Sequence, residues 1–273
     1  MPLGGGIFRT AGVGEMKSPV GILAVGLVLC GGLGFGTAAR AVSTVPFVGC
    51  VGTGWRGAAA PVGEPVQVDL PTDVAAKLAY YSGENLGVLA PRGWECAGGD
   101  SISNFSLRVV PPGQPARGPQ VYGVLLLATS SNDPNGQLVN MLYGHAYFPQ
   151  AVTQDLVAVW LAHNSEVTAF AVTKYSDDVL DYDAADSVRF TTPAGRNGLG
   201  LDFFPVADAG GKRQLGAVPT AGFFLLVPGP FVKVCETYQF AARLPGEVAD
   251  LAGAISRYAE QQAQVNALSD CVE

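Results

Sequence analysis

Charge is scarce in this chain of 273 residues: Asp, Glu, Lys and Arg together make up 14%, against roughly a quarter in an average globular protein. Hydrophobic residues make up 48%. That balance excludes a disordered chain, which needs little hydrophobicity and much charge. Basic residues are the scarcer sign, 16 against 23 acidic, for a net charge of −7. A nucleic-acid binder displaces counterions with clustered Lys and Arg, and no such cluster is present. Histidine is nearly missing, with only His145 and His163. The sequence therefore has no H-E-x-x-H or H-x-x-x-H zinc pattern. It also has no C-x-x-C pair and no G-x-S-x-G turn. Gly195-Arg-Asn-Gly-Leu-Gly200 is glycine-rich but lacks the Lys-Ser/Thr that completes a phosphate loop. The 36 glycines follow no G-x-y period, so a collagen helix is excluded as well.

What is present begins with one long apolar run. Lys17 precedes Val20 to Ala39, an uncharged stretch that ends in the small-x-small pattern Ala39-Arg40-Ala41. This is the pattern of a secretory signal peptide, with cleavage expected after Ala41 and Met16-Lys17 as the more typical start. An uncleaved anchor is the alternative, since about 20 apolar residues just span a bilayer. The Gly-rich half Cys30-Gly-Gly-Leu-Gly-Phe-Gly-Thr37 is a poor helix and favours cleavage. Leu29 before Cys30 is too bulky for a lipidation signal. Residues 1–41 are thus expected to be a leader with an upstream extension, and the remainder an exported protein, periplasmic or secreted.

Four cysteines remain after such cleavage: Cys50, Cys96, Cys235 and Cys271. An even count in an exported chain reads as two disulfides, with three possible connectivities. Local pairing, Cys50–Cys96 and Cys235–Cys271, ties down the two parts of the chain with least regular pattern. The crossed pairings stay open at this point.

Residues 42–71 are rich in Gly, Pro, Ala and Val, and predict an extended segment with one edge strand near Val66–Leu70. Residues 72–273 predict a single globular domain. Thr72 or Asp73 can cap a helix through Val74–Tyr80, ended by Ser82-Gly83. Phe105, Leu107 and Val109 alternate as in a half-buried strand, and Val121–Ala128 is a short continuous apolar run. Asp133-Pro134 opens a helix carrying Leu138, Met141, Leu142 and His145 on one stripe. Ala151–Ala162 is ambiguous between helix and strand. Val167–Val172, Val188–Thr192, Phe223–Val227 and Tyr238–Leu244 read as strands. Val248, Leu251, Ala252, Ile255, Tyr258 and Ala259 recur with helical period in a C-terminal amphipathic helix. The fold class is therefore α+β, a mainly antiparallel sheet with about three packed helices.

Chemical signals are weak. Asp177, Asp178, Asp181, Asp183 and Asp186 form the densest acidic patch, but the glycine and glutamate of a calcium loop are missing. They read as a solvated loop or short helix. Trp55, Trp94 and Trp160 are core or sugar-platform candidates. His145 sits on the apolar stripe of its helix and reads as structural. No catalytic, cofactor-binding or metal-ligating residue is assigned. The leading expectation is a non-enzymatic binding or interaction protein of the cell envelope, with a protein or small ligand as partner and no membrane contact after leader cleavage. The alternative is a secreted hydrolase using dispersed carboxylates or His145.

Three segments carry a resemblance: Ala90-Pro-Arg-Gly-Trp-Glu-Cys96, Thr191-Thr-Pro-Ala-Gly-Arg-Asn-Gly-Leu-Gly200 and Ala242-Arg-Leu-Pro245. In that order they resemble segments of a set of uncharacterised exported bacterial proteins. The resemblance implies an exported globular protein, and no activity or functional residue comes with it.

Overall fold

The structure, a computed structural model, describes residues 42–52, 57–83, 85–100, 104–115, 121–130, 142–143, 146–148, 174–182, 184–207, 213–228 and 234–270. The described residues belong to one compact unit, Arg40–Glu273. Along the chain come β1 (Ser43–Val45), β2 (Phe47–Gly49), β3 (Val51–Gly52), β4 (Val66–Val68), helix α1 (Thr72–Ala75), β5 (Leu78–Ser82) and β6 (Gly87–Pro91). Then follow β7 (Glu95–Asp100), β8 (Asn104–Val110), β9 (Gly123–Ser130), β10 (Val179–Asp181), β11 (Ser187–Thr192) and helix α2 (Leu199–Phe203). The last elements are β12 (Val206–Ala207), β13 (Arg213–Gln214), β14 (Thr220–Pro228), β15 (Val234–Arg243), a 3-10 turn over Gly246–Leu251 and helix α3 (Ala252–Asp270).

Eight strands form one sheet in the order β10-β11-β14-β15-β9-β8-β7-β3. All its neighbours are antiparallel except β3 and β7. A three-stranded sheet, β2-β5-β6, also mixes directions, because β2 runs parallel to β5. The fold is sheet-rich and mostly antiparallel, with a long C-terminal helix.

Both faces of the large sheet are covered. On one face, Phe223, Leu225, Tyr238, Phe240 and Leu126 meet Ile255 and Ala259 of α3 and Val88 and Leu89 of β6. On the other, Phe190, Phe224, Leu226 and Leu125 meet Leu199 and Phe203 of α2 and Tyr147. Burial on both sides explains why β14 reads as the unbroken run Phe223-Phe-Leu-Leu-Val227 rather than an alternation. At Gly222 a Cβ would run into the Phe240 carbonyl and the Phe190 ring.

Three expectations need correction. The helix expected over Val74–Tyr80 stops after a single turn at Ala75, and no side chain of Thr72 or Asp73 caps it. Leu78–Ser82 is instead a strand, because Leu78, Ala79 and Tyr81 are all buried between β2 and β6. Within residues 42–71 the chain forms four short strands rather than one, and Val45, Cys50 and Val68 enter the core. The acidic segment expected as a loop or short helix contains β10, the edge strand of the large sheet. Residues 1–41, the expected leader, lie outside the described residues, as do Val167–Val172 and Ala151–Ala162.

Candidate functional site

Each of the three segments that carry the resemblance closes part of the fold. In the first, the Trp94 amide donates to Tyr81 Oη at 2.9 Å, and that hydroxyl donates to the Pro91 carbonyl at 2.8 Å. Cys96 forms a disulfide with Cys50, which ties the N-terminal segment to β7. Cys235 is disulfide-bonded too; Cys271, its expected partner, lies outside the described residues.

The other two segments meet each other. Arg243 is 1% exposed. It donates from Nη2 to the Gly200 carbonyl at 2.7 Å, from Nη1 to the Phe204 carbonyl at 3.1 Å and from Nε to Thr220 Oγ1 at 2.7 Å. Its guanidinium also lies over the Phe204 ring. All three acceptors are neutral, so burial without a carboxylate pulls the guanidinium down to about 10. It remains a cation at neutral pH. The start of α2 is held from the other side by Asp178. Its Oδ1 accepts from Thr192 Oγ1 and its Oδ2 from the Leu199 amide, while the Gly200 amide donates to Thr192 Oγ1. Burial holds the Asp178 carboxyl above its ordinary value, with Asp202 and Asp177 adding to the rise against these hydrogen bonds. The Gly195 turn has φ +69°, a left-handed conformation that glycine adopts without a Cβ clash. The acidic patch therefore supplies a latch, not a solvated loop, at Asp178. With both oxygens of that carboxylate engaged, it organises α2.

Asp202 lies next to this latch, and Tyr175 donates to it at 3.0 Å. Tyr143, Tyr147, Phe190, Phe203 and Phe224 form a stacked aromatic cluster below. Burial pushes the Tyr143 and Tyr147 hydroxyls up, so both stay protonated at neutral pH. On the opposite face, Glu260 of α3 accepts from Ser187 Oγ at 2.8 Å and from Arg189 at 2.9 Å. That pair fastens α3 to β11.

The described residues also form an open groove. Between β4 and α3 lies a groove of about 580 Å³, within the range of small-ligand sites. One wall is the continuous stretch Gln67–Pro71; the other is Ala254, Arg257, Tyr258, Gln261 and Gln262. Those helix positions are i, i+3, i+4, i+7 and i+8, a single face of α3. Val68 and Ala254 are buried, whereas Gln67, Asp69, Arg257 and Gln261 are exposed. The groove thus has an apolar base and a polar rim. Tyr258 packs edge-on against Tyr80 with centroids 6.2 Å apart. Burial, with Tyr80 adding to it, pushes its hydroxyl up to about 12. At neutral pH it is an uncharged hydroxyl, a hydrogen-bonding group rather than a base.

The sequence placed Val66–Leu70 in an edge strand and Tyr258 on a helix stripe, but it assigned no groove residue a functional role. Gln67 and Gln262 stand far apart in the chain, and glutamines carry no motif. Of the residues it did name, Trp94 is half-buried against the core, while Trp55, Trp160, Asp183, His145 and His163 lie outside the described residues. Among the described residues no group of three or more His, Cys, Asp or Glu could hold a metal ion. No described helix is long and apolar enough to cross a membrane. Comparison with known proteins finds no matching family model, no matching curated protein and no matching solved structure.

Proposed function

We infer that this chain is an exported, non-enzymatic binding protein whose recognition site is the groove between β4 and α3. The observation that carries this reading is the lining. An apolar base with amide, guanidinium and phenol groups on its rim orients a ligand through hydrogen bonds. Tyr258, whose phenol burial keeps protonated at neutral pH, serves there as a hydrogen-bonding group rather than as a base. The Cys50–Cys96 disulfide supports an oxidising compartment, where such bonds persist. The acidic balance of the chain speaks against nucleic acid as partner.

A thermal-shift screen of the purified chain tests this reading. Its panel is amino acids, short peptides, sugars and dicarboxylates, repeated with Arg257→Ala and Gln262→Ala. The expected result is at least one compound that raises Tm and loses that effect in the groove variants. Hits indifferent to both substitutions, or steady turnover of any panel compound, would overturn it.

A further inference from the structure

We propose that Asn197-Gly198 is a self-modification site, where the Gly198 amide nitrogen closes on the Asn197 side chain and the resulting isoaspartyl linkage releases α2 from Asp178. The site is separate from the groove and stands without it.

The glycine-rich segment Gly195–Gly200 completes no phosphate loop, and its hydrogen bonding singles out one dipeptide. The Gly195 amide donates to the Gly216 carbonyl and the Arg196 amide to the Pro193 carbonyl. Further on, the Leu199 amide donates to Asp178 Oδ2, the Gly200 amide to Thr192 Oγ1 and the Leu201 amide to the Gly198 carbonyl. Between these anchored flanks, the Asn197 and Gly198 amides donate to no group among the described residues, and neither does the Asn197 side chain. Asn197 is exposed, so water reaches its carboxamide. Gly198 is extended, with φ 179° and ψ −178°, and the dipeptide lies outside the helix that begins at Leu199.

Those are the conditions for ring closure. A nitrogen held in no hydrogen bond can turn toward the preceding side chain, and glycine has no Cβ to obstruct the approach. The Gly198 nitrogen bonds to Asn197 Cγ, the Cγ–Nδ2 bond breaks, and ammonia leaves with the proton that the Gly198 amide gives up. A cyclic imide remains. Water then opens one of its two ring C–N bonds. Opening at the side-chain carbon gives aspartate in place of Asn197. Opening at the main-chain carbonyl gives isoaspartate, in which the chain runs on through the former side chain. One water is consumed, one ammonia is released, and nothing is oxidised or reduced.

The isoaspartyl product lengthens the main chain by one methylene directly before Gly198. The fold has no room for that shift. A Cβ on Gly198 would run into Asp178 Oδ1 and the Thr192 side chain, so the Gly198 backbone already lies against the latch. Displacing it pulls away the Leu199 and Gly200 amides that Asp178 and Thr192 hold.

The test ages the purified full chain at neutral pH beside a synthetic peptide of residues 194–201. Peptide mapping follows the mass gained at residue 197 as amide becomes acid, and Asp-N digestion separates the products because it cleaves before aspartate but not before isoaspartate. The other Asn-Gly pair, Asn135-Gly136, is read in its own peptide. The expected result is conversion at residue 197 in the folded chain within about tenfold of the peptide's rate, so that the fold adds little barrier. Hydrogen–deuterium exchange should show residues 199–204 losing protection as isoaspartate accumulates. Asn197→Gln, whose ring would need one more atom, should show neither change over the same period. Asn197→Asp, which has the charge without the extra methylene, should keep its protection. Conversion slower than that limit would overturn the proposal. So would isoaspartate with residues 199–204 as protected as before, or an equal loss of protection in Asn197→Gln or Asn197→Asp.

Discussion

Arg243 and Asp178 hold the two ends of the α2 connection, and they do so with opposite electrostatics. Arg243 gives a buried positive charge to three neutral oxygens. Removing it takes a charged donor from the Phe204 carbonyl and the Thr220 hydroxyl in the core and leaves the Gly200 carbonyl with the Phe204 amide as its donor. Arg243→Ala should therefore cost about 3 kcal/mol of unfolding free energy. Arg243→Lys keeps the charge but loses the fork, and should fall between the two in urea denaturation. A Lys variant as stable as the parent would show that the fork geometry is unimportant. Asp178 carries a pKa signature. Its folded value lies above the unfolded one, about 3.8. The folded state then holds the proton more tightly, and this group's contribution to stability rises as pH falls from the folded pKa toward 3.8. Asp178→Asn should lose that rise whatever its stability at neutral pH, as read from Tm against pH. An unchanged Tm profile in the variant would count against the latch. Neither role was legible beforehand. Arg243 sits in a pattern that reads as a strand end, and Asp178 in one that reads as solvated acid. Their partners are brought by chain reversals that no local pattern encodes.

At the level of elements, legibility followed burial symmetry. β8 and α3 were readable because each has a dry side and a wet side, which prints a period of two or of 3.6 on the sequence. β14 was readable as a continuous run bounded by Gly222 and Pro228. β5 was misread because Lys77-Leu-Ala-Tyr-Tyr-Ser82 is compatible with either period. Its pairing with β2 and β6 decides the outcome, a tertiary effect that outweighs weak propensity. The docking of α3 rests on Glu260, which is buried while Arg189 remains partly exposed. Glu260→Ala should destabilise by about 2 kcal/mol, chiefly by leaving Ser187 and Arg189 without their acceptor. A double-mutant cycle with Arg189→Ala should show coupling, with the double variant losing less than the sum of the singles. Strict additivity would mean that the ion pair contributes nothing to seating the helix.

For the whole molecule, the N-terminal Gly/Pro-rich segment is the part with least intrinsic order, and the fold fixes it covalently. The Cys50–Cys96 bridge closes a loop of 46 residues. In the chain-entropy description that is worth about 4 kcal/mol. Cys50→Ser with Cys96→Ser should lower stability by that order in urea unfolding, with the β1–β4 pair and the groove wall loosening first. Peptide mapping under non-reducing conditions should join Cys50 to Cys96 and Cys235 to Cys271. A fragment joining Cys96 to Cys235 would contradict this arrangement. The groove was the least legible feature of all, since its walls come from opposite ends of the chain and only the packing of α3 beside β4 creates it. Hydrogen–deuterium exchange tests that claim most directly, comparing the free chain with the chain saturated by a compound that raises its Tm. The groove account predicts new protection at residues 66–71 and 254–262, with the Asp178–α2 region unchanged. Protection centred on residues 178–204, with the groove walls unaffected, would contradict it.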